Sequence, residues 1–158
     1  MNIFLNKKKF YLFILFYSLF AIFFALYVEY VLGYKACKLC LYQRIPYIIA
    51  IFISFIGYNY FKNHKILILI FVIFLISALV SGYHYGIENN IFAEFSGCTT
   101  SSLEIINKAE LLKSLNNNVL SCKDVNFKFL GMSLAGINLL LSLFVVVYSI
   151  RILVYEKN

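Results

Sequence analysis

The chain has 158 residues, 63% of them hydrophobic and only 13% charged, where a soluble domain averages about 25% charged. Too little polar side chain is present to cover a water-facing surface, so a soluble globular fold is excluded and lipid is the solvent for much of the exterior. The net charge of +7 does not mark a nucleic-acid binder, because the basic residues flank apolar runs and form no stripe interleaved with exposed aromatics.

Crossing a bilayer takes about 20 apolar residues, with a workable range of roughly 17–25, and four stretches qualify. The first runs from about Phe10 to Leu32 and is interrupted late by Glu29. Lys7, Lys8 and Lys9 precede it as they would a signal peptide. Its apolar run exceeds the usual ~7–15 residues and no small-x-small cleavage site follows, so it reads as a retained anchor. The second span, about Ile45 to Phe61, is the shortest, and the chain's one proline, Pro46, stands at its start. There a missing N–H costs least. The third runs from about Ile66 to Tyr85 and the fourth from about Gly131 to Val154. Each must be helical, since backbone amides in hydrocarbon have no water to bond. The expected fold is an all-α integral membrane protein, a four-transmembrane-helix bundle forming a single membrane domain over residues 1–158. Asn138, with Gly136 and Ser142 flanking it, reads as a packing residue that faces other helices.

Connections alternate sides. The N-terminus, the turn from Lys62 to Lys65 and the C-terminal tail share one side; loops of about residues 33–44 and 86–130 share the other. Lys7, Lys8, Lys9, Lys62, Lys65, Arg151 and Lys157 crowd the first side, whereas an equal number is spread along the two loops. The positive-inside bias therefore predicts cytoplasmic termini. Within the longer loop, Ser101 and Glu104 form a capping box for a short surface helix ending at Asn116, with Ile105, Ala109 and Leu112 on one face.

All four cysteines, Cys37, Cys40, Cys98 and Cys122, fall in the two loops predicted to face outward, where disulfides persist. Four cysteines permit three pairings, and the sequence leaves the choice open; local spacing makes Cys37–Cys40 and Cys98–Cys122 the simplest. A Cys98–Cys122 bridge would close a loop long enough to stabilise entropically. A Cys37–Cys40 bridge would close almost none, and such short bridges are labile, which suits redox work rather than stapling. A metal site is disfavoured, since no second C-x-x-C is present. The C-x-x-C stands at the N-terminal mouth of the second span, where free amide N–H groups and the helix dipole favour a thiolate. Arg44, one turn after Cys40, is placed to sit beside its sulfur. Alone, Arg44 would read as an interfacial cation; beside a thiolate candidate it reads as functional.

The string Cys37-x-Leu39-Cys40-x-Tyr42-Gln43-Arg44, the segment Gly82 to Glu88 and the run after Cys122 from Phe129 to Ser133 resemble the bacterial disulfide bond formation protein B (DsbB) family. The resemblance covers essentially the whole chain. It implies an inner-membrane thiol–disulfide oxidoreductase with periplasmic cysteine loops, which reoxidises a periplasmic DsbA-like thioredoxin-fold protein and passes the electrons to a membrane quinone (ubiquinone or menaquinone). It further implies that Cys98 forms the mixed disulfide with the partner and that Cys122 attacks the first pair. Cys37 then bridges transiently to Cys122, and Cys40 faces the quinone with Arg44 near a quinone oxygen. Some members carry a histidine after the position of Glu88; here it is Asn89. His84 lies more than one turn earlier and reads as interfacial filler. The alternatives are another quinone-linked thiol oxidoreductase, of the vitamin K epoxide reductase-like kind, or a non-enzymatic scaffold with structural disulfides. The first fits less well because its C-x-x-C usually follows the loop cysteines.

Overall fold

A computed structural model describes residues 7–93, 122–123, 127–129 and 131–157. In chain order the elements are α1 (Lys7–Tyr30), α2 (Lys38–Tyr42), α3 (Arg44–Asn59), α4 (His64–Glu88), the short strands β1 (Lys128–Phe129) and β2 (Met132–Ser133), and α5 (Leu134–Lys157). Among the described residues, four helical stretches are long and apolar enough to cross a membrane: Lys7–Tyr30, Lys38–Asn59, His64–Glu88 and Leu134–Tyr155. The protein is thus an all-α four-helix membrane protein, as expected. The proposed surface helix near residues 101–116 lies outside the described residues, as does Cys98.

Apolar residues line these helices on every side, so size and polarity decide which face turns inward. Bulky Phe16, Phe20, Phe23, Phe52 and Phe55 are exposed to the lipid side, while Ser18, Ser54, Ser77, Ser81, Ser142 and Ser149 are buried. Small residues let backbones approach where no hydrophobic effect separates lipid from protein. Two of these hydroxyls bond the preceding turn: Ser81 Oγ donates to the Ser77 carbonyl at 2.6 Å and Ser149 Oγ to the Val145 carbonyl at 2.8 Å. The main core joins all four spans through Tyr11, Ile14, Tyr47, Ala50, Leu67, Phe74 and Val145. At Gly57 the Tyr11 ring comes so near that an added Cβ would stand 2.6 Å from its Cε1.

The helix ends refine the expected boundaries. Asn63 Oδ1 accepts from Lys65 N at 3.0 Å and starts α4 early. Its far end continues to Glu88 and closes with Asn90 in the left-handed region (φ 58) and Ile91 N bonded to Gly86 O at 2.8 Å. That pattern satisfies carbonyls the helix would otherwise leave open. The extra turn puts Glu88 on the same face as His84. The fourth span begins at Leu134 rather than Gly131, because Gly131 (φ 83) makes the turn between β1 and β2, which pair antiparallel with Lys128 opposite Ser133. Ser133 then caps α5, its Oγ accepting from Gly136 N at 3.1 Å. The second span starts earlier than Ile45, since α2 supplies its first turn. At the opposite end of the bundle, Lys8 Nζ lies 4.6 Å from the centre of the Phe61 ring, so the basic N-terminus and the turn after α3 share one side.

Candidate functional site

The site grows from the first turn of the second span. Cys37 is extended (φ −71, ψ 167) and occupies the N-cap of α2, its Sγ accepting from Cys40 N at 3.2 Å. Two intervening residues bring Cys40 round one turn, with its Sγ 2.8 Å from that of Cys37; both are free thiols. A disulfide needs about 2.03–2.05 Å, so a small side-chain rotation would bring the two sulfurs to bonding distance, leaving only two electrons and two protons to be removed. The Cys37 thiol is held well below the usual thiol range, first by its hydrogen bond with the Cys40 thiol and further by His84, against the opposing cost of burial.

This differs from expectation in two ways. The sulfur facing the free amide at the helix start is Cys37, not Cys40, because the capping residue rather than the third helical residue points back at the open N–H groups. Arg44, placed by spacing beside Cys40, also pairs its guanidinium with Glu29, Nη1 lying 2.6 Å from Oε2. Glu29 therefore pairs with a cation across the α1–α3 interface rather than reaching for headgroups. Both groups still line the cavity that Cys40 borders.

His84 is the residue that sequence reasoning undervalued. It is 2% exposed, not interfacial. Gln43 Nε2 donates to its Nδ1 at 2.8 Å, while its Nε2 lies 3.6 Å from Cys37 Sγ and 3.6 Å from Glu88 Oε1. The one signal available was its i,i+4 spacing from Glu88, which only becomes meaningful once α4 is known to run through both.

Behind His84 a chain of polar side chains crosses the bundle. Gln43 Oε1 accepts from Asn138 Nδ2 at 2.9 Å; Asn138 Oδ1 accepts from the Tyr47 hydroxyl and from Ser142 Oγ, the latter at 3.2 Å. Tyr47 meets the Tyr17 hydroxyl at 3.1 Å and Ser142 meets Ser77 Oγ at 3.1 Å. Asn138 faces other helices as expected, but it also connects helix packing to the thiols.

Cys122 is buried and disulfide-bonded, and neither Cys37 nor Cys40 is its partner, as both are free. Its sulfur, the Cys37 sulfur and a ring nitrogen of His84 all lie within 4.8 Å of one another. A Cys/Cys/His trio of that size would suit a soft metal ion if both sulfurs were thiolates, but a disulfide sulfur is not one. The same trio is a geometry for thiol–disulfide exchange.

Beside it opens a cavity of about 520 Å³, bounded by Phe20 and Phe24 of α1, Cys40 and Arg44 of the second span, and Ile137 and Leu141 of α5. Its wall is mostly apolar with a few polar groups, among them Cys37, Cys40, Arg44 and His84, the pattern of a site that orients a largely apolar ligand by a few contacts.

Residues 7–152 match the family of the disulfide bond formation protein DsbB. The chain belongs to that family. A relative, the Uncharacterized protein RP370 of Rickettsia prowazekii (strain Madrid E), is 32% identical over 136 residues, which cover 82% of this chain and 78% of that protein. As a DsbB-family protein the chain is a membrane disulfide bond formation protein, and the family implies a disulfide-generating oxidoreductase. In this DsbB-family chain Cys37, Cys40 and Cys122 all line the cavity.

Proposed function

We propose that this chain draws electrons from a periplasmic DsbA-like dithiol protein through its two cysteine pairs and delivers them to a membrane quinone. In this reading both termini are cytoplasmic, the cysteine loops are periplasmic, and the membrane is the bacterial inner membrane. The observation that carries it is the position of three sulfurs: Cys37 is 2.8 Å from Cys40 and within 4.8 Å of Cys122, beside a cavity about 520 Å³ in volume.

The residues present fit a quinone ring: the cavity has apolar walls for a flat apolar body, and Cys40 and Arg44 are among the polar groups that line it. A bound quinone supplies a two-electron, two-proton acceptor. The protein's own part is sulfur chemistry. The partner's thiolate attacks Cys98 of a Cys98–Cys122 disulfide and releases Cys122 as a thiolate. Cys122 attacks Cys37 of the oxidised first pair, forming a Cys37–Cys122 bond and expelling Cys40 as a thiolate. The partner's second thiolate then resolves its own mixed disulfide with Cys98, and the freed Cys98 thiolate attacks Cys122. This restores Cys98–Cys122 and releases Cys37. Cys37 and Cys40 are then both reduced, and they close their disulfide again as the acceptor takes two electrons. Each exchange needs a thiolate attacker and a stable leaving thiolate, and donors around the Cys37 sulfur meet that need.

Anaerobic mixing of the purified protein with a reduced DsbA-like protein and quinone tests the whole sequence. One quinol should form per partner disulfide, followed by quinone absorbance and by alkylation of the remaining partner thiols. Partner oxidation without quinol formation, or no oxidation at all, would overturn the proposal.

A further inference from the structure

We propose that His84 is a fixed hydrogen-bond donor to the Cys37 sulfur, its ring held in the tautomer with the proton on Nε2 by a relay running from Asn138 through Gln43. The role in turnover rests on the exchange reaction proposed above; the hydrogen bond itself does not.

The two ends of the imidazole agree on this tautomer. On one side, Gln43 Nε2 at 2.8 Å from Nδ1 is a donor with no lone pair to offer, so Nδ1 accepts. Gln43 presents its nitrogen to the ring because its oxygen is engaged by Asn138 Nδ2 at 2.9 Å. Asn138 in turn presents its nitrogen because its oxygen accepts from Tyr47 and Ser142. On the other side, Nε2 faces Cys37 Sγ and Glu88 Oε1, each 3.6 Å away, and the Cys122 backbone also bonds the ring. A neutral ring with Nδ1 filled carries its one proton on Nε2, where both acceptors wait.

Among the described residues, titratable groups reach the sulfur from three sides. Cys40 faces Cys37 from α2; His84 and Glu88 face it from α4; Cys122 closes the third side, and its backbone also bonds the His84 ring. Glu88 is held by the Ser133 hydroxyl and feels Lys128 beyond it, while its Oε2 is buried with no hydrogen-bond partner. Among these, the Cys40 amide also donates to Cys37 and is unchanged by reaction at the Cys40 sulfur. His84 is the side-chain donor that survives that reaction. It keeps Cys37 a good leaving group when bridged to Cys122 and a ready nucleophile when its turn comes to close on Cys40. His84 is in this sense a positioning residue for the sulfur, and Gln43 and Asn138 position His84.

The test reads Cys37 directly, with neither quinone nor partner present, so its failure is distinct from failure of the electron path. In reduced protein, brief iodoacetamide labelling at a series of pH values followed by trypsin separates the two thiols. Cleavage after Lys35, Lys38 and Arg44 leaves Cys37 and Cys40 on different peptides. In the wild type, Cys37 labelling should reach its plateau below the ordinary thiol value of about 8.5. His84→Leu should move the midpoint upward by about a unit, making labelling at pH values below the wild-type midpoint about tenfold slower. His84→Gln, which keeps an N–H at similar reach, should restore most of the rate. If His84→Leu fails to fold, nitrogen-15 NMR of the histidine ring in the unsubstituted protein decides the matter. A protonated Nε2 with an unprotonated Nδ1 near neutral pH is the expected pattern. A Cys37 profile identical in wild type and His84→Leu, or a ring protonated on Nδ1, overturns the proposal.

Discussion

Replacing Asn138 with leucine should loosen the bundle and the thiol site together. Asn138 holds three partners: Gln43 Oε1 at 2.9 Å, Ser142 Oγ at 3.2 Å and the Tyr47 hydroxyl. Leucine has a similar volume, so packing is nearly conserved and the loss is polar. Two of these bonds, to Gln43 and Tyr47, cross between helices, whereas Ser142 is one turn on in the same helix; bonds between membrane helices average ~0.6 kcal/mol and reach ~1.7 kcal/mol, which bounds the loss between about 1 and 3 kcal/mol. The lower figure is expected, because Tyr47 keeps Tyr17 and Ser142 keeps Ser77 as partners. Only the Gln43 oxygen is left with none of its own. Equilibrium unfolding in mixed micelles, titrated with a denaturing detergent, measures the change. A double-mutant cycle with Tyr47→Phe should show a coupling of at least ~0.5 kcal/mol, since both residues belong to one network. An Asn138→Leu protein within about 0.5 kcal/mol of wild type, or strict additivity with Tyr47→Phe, would refute the network as a stabilising unit.

Gly57→Ala should destabilise by about 1–3 kcal/mol in the same assay, because the added Cβ meets the fully buried Tyr11 ring at 2.6 Å. Gly82→Ala is the matched control: its Cβ would find only the Leu139 Cδ1 at 3.6 Å, and stability should hold or rise. Cys40→Ala, which cannot form the first disulfide, should stop after one exchange with reduced partner: one partner disulfide per chain and no quinol, read by thiol alkylation and quinone absorbance. Arg44→Ala should raise the apparent KM for quinone while leaving partner-to-loop disulfide exchange intact in stopped-flow traces; an unchanged quinone dependence would remove Arg44 from the cavity's function.

Much of this protein was legible in one dimension, and the reasons are physical. A bilayer admits backbone only as helices or closed barrels, so four apolar stretches between basic turns leave one architecture. The C-x-x-C at the start of a span likewise announces itself, since free amides at a helix start favour thiolate chemistry wherever that helix is. Boundaries were less legible. The extra turn of α4 depends on Asn90 adopting a left-handed conformation, and the retreat of the fourth span to Leu134 depends on Gly131 being used for a hairpin turn; neither choice is dictated by hydropathy.

What remained hidden was which side chains meet across helices. Hydropathy fixes that a segment enters lipid but, with apolar residues on every face, says little about its rotation. Rotation and depth are what bring His84 to Cys37, turn Arg44 toward Glu29 and seat Asn138 against Gln43. Each of those pairs joins residues on different helices, so no local spacing encodes it. A polar group inside a membrane bundle must find its partner among the other helices, and that search is resolved only when all four pack.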